Sequence, residues 1–387
     1  MKSFYQKGKA SVIIDGQYGS TGKGLLAGYM ARHSEMPLGH VVHTTNAAPN
    51  AGHTTEWWDG PTPTITSGPM IGTTTRESKR LVTYHLPTGG VLRHELCYIN
   101  AGAVIDVDML MREITDAAGV MGHLPMVQVH PNAAMLLVDD KVAEADEASA
   151  ATAISSTRKG VGAAIARKVR REALTIKDYK RFYPDASIRL NLLELGRVTR
   201  FGQSVSIEVP QGISLGLNHS GFYPYCTSRE VSVAQAMSDA GIHPADLGLV
   251  ALSMRTFPIR VGSLPGQTSG GYFFDQKEIE WSSLGLEPEL TTVTRRPRRL
   301  FTWSREQYRQ ALWKSRPAVV FLNFVNYFKS VRQFQDHMTN MWEDHDLTGI
   351  KPSVIFGFGP RIEDVIDGGA LEAEAYLNDL LTDRKEA

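Results

Sequence analysis

Cysteine is nearly absent from the chain. Its two residues, Cys97 and Cys226, lie far apart and form no C-x-x-C pair. That excludes a disulfide scaffold and a cysteine-built zinc site, and it fits a reducing compartment. Net charge is also missing: 41 Lys and Arg balance 41 Asp and Glu. A neutral chain is neither a dedicated nucleic-acid coat nor a polybasic membrane anchor. No apolar run approaches the roughly 18 residues of a membrane helix. The N-terminal MKSFYQKGKASVIID is polar before it is apolar, which is not the order of a signal peptide. Internal repeats, heptads and low-complexity linkers are lacking too. These absences give the expectation of a soluble cytoplasmic protein.

What is present is globular. Hydrophobic residues make up 42% and charged residues 21% of 387 positions. That excludes wholesale disorder and allows a large core without disulfides. The length suits two or three average domains, or one large α/β unit. Apolar strands are expected at Ser11–Asp15, Leu124–Val129, Ala134–Val138, Ser204–Val209, Leu247–Met254, Val319–Phe324 and Ser353–Phe356. Helices are expected at Leu25–Arg32 and Asp106–Ala118, the second with Met109, Leu110 and Ile114 on one side. Residues 58–90, rich in Gly, Pro and Thr, suggest loops and hairpins. Asp139–Glu147 reads as an acidic, solvated stretch, and Arg167–Arg171 as a basic helical face. Strands alternating with helices argue for a mostly parallel sheet.

The first strand runs into Gly16-Gln17-Tyr18-Gly19-Ser20-Thr21-Gly22-Lys23-Gly24. Amides of such a loop, followed by a helix N-terminus, bind phosphate oxygens. Lys23 adds a point charge. The loop departs from the standard phosphate loop: five residues, not four, separate Gly16 and Gly22, and Gly24 stands where a Ser or Thr is usual. By itself it indicates a nucleoside phosphate and no more. His53, in NAAPNAGHT, could donate to a leaving phosphate oxygen. TVTRRPRR, Thr292–Arg299, is a compact anion trap, because arginine holds carboxylates and phosphates bidentately. EVPQGISLGLNHSGFYPYCT, Glu208–Thr227, is on its face a glycine-rich loop with Gln211 and Thr227 as pocket candidates.

Taken in order along the chain, these segments resemble one family, the adenylosuccinate synthetases. GQYGSTGKG resembles the family's GQWGDEGKG, and NAGHT is identical to its motif. HLPTGG, STRKGVGAAIARKVRR, EVPQG with YPYCTS, TRRPRR and FGFGP are similar to further family segments. The resemblance implies a phosphate-loop-type α/β enzyme with a mostly parallel sheet flanked by helices and carrying inserted hairpins and helices. It implies one catalytic unit over residues 1–387, with a hairpin insertion at 58–92 and a basic, dimer-facing helical region at 145–200. Family members phosphorylate a purine 6-oxygen and let the amine of L-aspartate displace the phosphate, with Mg²⁺ and as homodimers.

Carried over by position, the resemblance implies roles for individual residues. Ser20, Lys23 and His53 stand at catalytic places. Gly19, Ser20, Thr21, Gly22, Lys23, Gly24, Gly52, His53, Thr54, Arg298, Asn323, Gly357 and Gly359 stand at triphosphate places. Ser20, Asn50, Ala51, Thr157, Arg171, Gln211, Thr227 and Arg296 match contacts to the purine monophosphate, Arg171 reaching from a neighbouring subunit. Thr292, Val293, Thr294, Arg296 and Arg298 match the aspartate site. Ser20 and the Gly52 carbonyl would face Mg²⁺.

Two departures sharpen the expectation. The family's catalytic aspartate is Ser20, and the glutamate beside it is Thr21. A short neutral residue leaves room beside purine N1 and C2, where guanine carries its amino group. This resembles the family's phage branch, which joins aspartate to dGMP with ATP, in the host bacterial cytoplasm, on the route to 2-aminoadenine deoxynucleotides. The K-x-D that reads a GTP base aligns with Asn323 and Val325, so the base loses its carboxylate acceptor; that favours ATP or dATP. The alternatives are a divergent enzyme using IMP and GTP, and a non-catalytic nucleotide-binding switch.

Overall fold

The fold is taken from a computed structural model, which describes residues 3–59, 77–146, 149–185, 187–264, 266–291 and 296–386. Its spine is a nine-stranded sheet. The strands are β1 (Ala10–Asp15), β2 (Val41–Thr45), β5 (Cys97–Ile99), β6 (Val127–Val129), β7 (Ser204–Gly212), β8 (Leu247–Arg255), β9 (Val319–Asn323), β10 (Ser353–Gly357) and β11 (Val365–Ile366), with a hairpin of β3 (His53–Trp58) and β4 (Ser78–Thr83) standing apart. The sheet order is β11-β10-β9-β8-β1-β7-β2-β5-β6, and every pair is parallel except β10 with β11.

All six residues of β1 are buried. Side chains alternate across a strand, and β1 divides accordingly. Val12 and Ile14 enter one hydrophobic cluster with Leu252, Leu322 and Phe356. Ile13 enters the opposite one with Leu26, Met30, Phe321 and Ile355. A strand covered on both faces needs a near-continuous apolar run, which SVIID supplies. Helix α1 (Lys23–Arg32) starts directly after the glycine loop and is buried along nearly its whole length. At Gly24 an added Cβ would lie 2.7 Å from the backbone N and O of Thr54. That close approach of the hairpin accounts for glycine where a Ser or Thr is usual.

Several expectations need correction. The strand expected at Leu124–Val129 is only Val127–Val129, because Pro125 has no amide to donate to the ladder. Ala134–Val138 yields a two-residue strand, Ala134–Met135, after which Val138–Ala145 turns helical. The acidic stretch is therefore not wholly solvated. Asp140 is buried, 3% exposed, and Arg167 grips it with Nε at 2.8 Å and Nη2 at 2.6 Å. The basic face is equally anchored: Lys168 donates to the carbonyls of Ala101 and Asn132. Charges of opposite sign, far apart in sequence, neutralise each other inside. The strand expected at Ser204–Val209 runs on to Gly212 through a bulge. Ile13 pairs with Glu208 but Asp15 pairs with Gly212, and Gln211 has φ 69°. Glu208–Gly212 is thus part of the central sheet, not the start of a loop.

Breaking a buried pair strands the remaining charge, at a cost of several kcal/mol. Arg167→Ala should therefore destabilise the fold by about 3 kcal/mol in urea denaturation. A loss below about 1 kcal/mol would place the pair among weak surface bridges.

Candidate active site

The C-terminal ends of β1, β7 and β8 open into a cleft of about 210 Å³. This is where parallel α/β sheets bind ligands. One wall is the glycine loop, with Tyr18, Gly19, Ser20 and Lys23. The second is Pro49–His53 with Tyr84. Ile154–Thr157 forms the third. Gln211, Leu215, Tyr225, Cys226 and Thr227 line the base, and Arg260, Thr291, Arg296 and Arg298 close the far side. Twelve residues singled out from sequence therefore share one cleft: Gly19, Ser20, Lys23, Asn50, Ala51, Gly52, His53, Thr157, Gln211, Thr227, Arg296 and Arg298.

Ser20 is exposed at the mouth, in a left-handed conformation with φ 57°. Its carbonyl accepts from Arg255 Nη1 at 3.2 Å. Lys23 is 7% exposed and donates to Asp15 Oδ2 at 3.3 Å and to the Gln211 carbonyl at 3.1 Å. Lys23 is also the first residue of α1, so the loop offers a charge and a helix N-terminus together.

His53 begins β3, and its Nδ1 lies 3.2 Å from Glu208 Oε2. A carboxylate accepts only, so this bond assigns the proton to Nδ1 and leaves Nε2 for the cleft. Glu208 also takes the Gly89 amide on Oε1 at 3.0 Å. Burial pushes the Glu208 carboxyl up, but the bond and charge of His53 and the amides of Gly89 and Thr88 outweigh it and hold the group below its usual range.

The far wall is cationic. Arg296 donates through its amide to Thr291 Oγ1 at 3.0 Å and through Nη1 to the Gly262 carbonyl at 3.1 Å. Burial pushes the guanidinium of Arg298 below its ordinary value, with Glu289 opposing and Arg255 reinforcing that. Arg260 is pushed to about 10, chiefly by burial, and stacks over Tyr18 at 4.7 Å. Such poorly hydrated cations favour an anionic ligand. Thr292, Val293 and Thr294 lie outside the described residues.

Other expected residues sit beside the cleft, not in its lining. Asn323 donates through Nδ2 to the Thr21 carbonyl at 3.2 Å and accepts the Phe324 amide on Oδ1 at 2.9 Å. Its side chain is wedged between Gly22 and Gly357, where added Cβ atoms would come within 2.1 and 2.2 Å of it. Val325 is fully buried in the core. Gly359 packs on Asp364, and Gly24 on Thr54. Arg171 is exposed and outside the cleft, with φ 67°.

Sequence reasoning missed five charged residues beneath and around the cleft: Asp15, Glu208, Arg255, Arg260 and Glu289. Arg255 is fully buried, donates to Glu289 Oε1 at 2.6 Å and stacks on Phe324 at 3.9 Å. Asp15 and Arg255 each end an apolar strand. A charge at that place was the available signal.

The Glu208 arrangement is testable without any ligand. A carboxyl held low in the folded state stabilises it above the unfolded value, roughly pH 4.3, and that contribution fades as pH falls through the lower folded value. The urea midpoint of the wild type should fall between about pH 5 and pH 3, and Glu208→Gln should flatten that decline. An equal decline in both proteins would contradict the assignment.

A family model for adenylosuccinate synthetase matches residues 12–195 and 187–312. The N6-succino-2-amino-2'-deoxyadenylate synthase of Cyanophage S-2L is 35% identical over 376 residues, 94% of this chain and 93% of that protein. The synthase of the same name from Vibrio phage phiVC8 is 33% identical over 368 residues, 92% of this chain and 96% of its own. Among solved structures, the Cyanophage S-2L succinoaminodeoxyadenylate synthetase bound to dGMP and dATP superposes with a TM-score of 0.78 at 33% identity, covering 96% of this chain and 99% of that one. Adenylosuccinate synthetase from Plasmodium falciparum, at 17% identity and a TM-score of 0.71 over 92% of this chain and 99% of its own, shares the fold. With its glycine loop, its His53 segment and its arginine wall gathered on one mostly parallel sheet, this chain belongs to the adenylosuccinate synthetase family.

Proposed function

We propose that the chain is an ATP-dependent C–N ligase that joins the amine of L-aspartate to C6 of dGMP, giving 2-amino-2'-deoxyadenylosuccinate. The observation that carries this reading is Ser20. It stands at the cleft mouth in the place of the family's aspartate, next to Lys23 and His53. The phage synthases named above point the same way.

In this reading the 6-oxygen of dGMP attacks the γ-phosphorus of ATP, ADP leaves, and the N1 proton passes to solvent water in the open cleft. The aspartate amine then attacks C6, and inorganic phosphate departs with the 6-oxygen. Lys23 and the loop amides stabilise charge on the moving phosphoryl group. His53, oriented by Glu208, donates from Nε2 to the same oxygens when both ring nitrogens carry protons, a cation that the Glu208 carboxylate beneath it stabilises. Arg296 and Arg298 clamp the carboxylates of aspartate. Asn50, Ala51, Thr157, Gln211 and Thr227 hold the nucleotide. Ser20 is neutral and takes no proton; what it supplies is space for the 2-amino group.

Among the described residues no group of three His, Cys, Asp or Glu side chains could hold a metal. The Ser20 hydroxyl and the Gly52 carbonyl are neutral oxygen donors. They suit a magnesium ion carried in on triphosphate oxygens, where it would neutralise charge on the phosphates. Arg171 is exposed on the basic helical region beside the exposed apolar side chains Val169 and Leu174. A second subunit docking there would form the homodimer and let Arg171 reach the neighbouring nucleotide. Among the described residues no helix is long and apolar enough to cross a membrane. The reaction would run in the host cytoplasm.

Aspartate-dependent phosphate release, with dGMP and IMP each crossed against ATP and GTP, tests the reading. Turnover is expected with dGMP and ATP. Turnover confined to IMP with GTP would replace it with the ordinary family reaction, and nucleotide binding without turnover would favour a switch. Ser20→Asp should lower kcat/KM for dGMP by about 10- to 200-fold, the range for a lost fit in a tight pocket. Unchanged dGMP kinetics would remove the steric argument.

A further inference from the structure

We propose that Asp15 is a positioning residue for the phosphoryl transfer, holding the Lys23 ammonium and the crest of the glycine loop from beneath. It is the last residue of β1 and is fully buried. Four donors converge on its carboxylate. Oδ1 accepts the amides of Gln17 at 2.7 Å and Gly19 at 3.3 Å. Oδ2 accepts the Thr21 hydroxyl at 2.7 Å and the Lys23 ammonium at 3.3 Å. A carboxylate accepts on both oxygens, so it can take all four. An amide side chain cannot, since one of its ends is itself a donor.

The loop GQYGSTGKG contains no acidic residue. The family motif it resembles carries two. In this chain the negative charge comes from one residue before the loop and lies under it. That placement separates two tasks. The mouth, at Ser20, becomes small and neutral, while Lys23 keeps a fixed counter-charge behind it. Gly212 is part of the arrangement. A Cβ there would fall 2.7 Å from Asp15 Oδ1 and 2.2 Å from the Gln17 carbonyl. The bulged end of β7 thus brings the Gln211 carbonyl onto Lys23 at 3.1 Å, opposite Asp15. Asp15 is not in the cleft lining. It acts through Lys23 and the loop.

A double-mutant cycle of Asp15→Asn and Lys23→Gln tests this, read by calorimetric Mg-ATP affinity and by steady-state kinetics with dGMP, aspartate and ATP. The kinetic arm rests on the ligase reading; the affinity arm does not. Asp15→Asn should lower both kcat and ATP affinity by about 10- to 100-fold, the scale of a charge-assisted hydrogen bond, with the KM for aspartate within about 2-fold. In the Lys23→Gln background the same change should add less than about 3-fold. Should Asp15→Asn not fold, Asp15→Ser runs the same cycle. Values for Asp15→Asn within about 3-fold of wild type would overturn the proposal. So would losses that multiply in the double variant, because Asp15 would then act independently of Lys23. Coupled losses in ATP affinity, with no turnover of dGMP by the wild type, would support the positioning role and refute the ligase reading.

Discussion

The cleft depends on one buried contact, the bond between Glu208 in the central sheet and His53 at the start of the hairpin, 3.2 Å long. Glu208 stands on β7, between β1 and β2, where few carboxylates would be tolerated. It is tolerated because the chain returns twice to satisfy it, once with His53 and once with the amide of Gly89. Breaking such a contact by removing one partner costs about 3–5 kcal/mol, a large part of the 5–15 kcal/mol that holds a typical domain. The same contact sets the direction of the His53 ring. Stability and chemistry therefore draw on one pair of residues.

Similar logic runs around the cleft. Three of its cations face a counter-charge on a strand or at a loop stem: Lys23 has Asp15, and Arg255 has Glu289, which also faces Arg298, whereas Arg260 and Arg296 bond to backbone carbonyls. The Arg255–Glu289 pair joins the Ser20 carbonyl to the base of the arginine segment, so loop and anion trap are mechanically linked. At the end of β9 the polar capacity is spent internally. Asn323 bonds to Thr21 and Phe324, and Val325 is in the core. Neither Asn323 nor Val325 offers a spare carboxylate to read a guanine base, consistent with an adenine nucleotide as donor.

Much of the sheet was legible in the sequence, but β2 and β5, short strands interrupted by polar residues or only three residues long, were not among the expected strands. Strands buried on both faces read as continuous apolar runs, as in SVIID and VVFLN. Twelve cleft residues were legible because the motifs that hold them resemble, in order along the chain, those of the adenylosuccinate synthetases. What escaped was long-range pairing. Asp140 looks like solvated acid until Arg167, 27 residues on, is seen against it. Glu208 looks like the start of a loop until the bulge at Gln211 extends β7. Asp15 and Arg255 look like strand punctuation. No periodicity reports such partners, because their spacing is set by the fold and not by a helix or strand repeat.

The proposed ligase reaction turns on phosphorylation of the 6-oxygen of dGMP before aspartate displaces it. The most direct measurement is to run the reaction with dGMP labelled with ¹⁸O at C6 and to analyse the released phosphate by mass spectrometry. One labelled oxygen is expected in each phosphate, equal in amount to the succinyl product. Unlabelled phosphate, with the label lost to water or retained in the nucleotide, would contradict it.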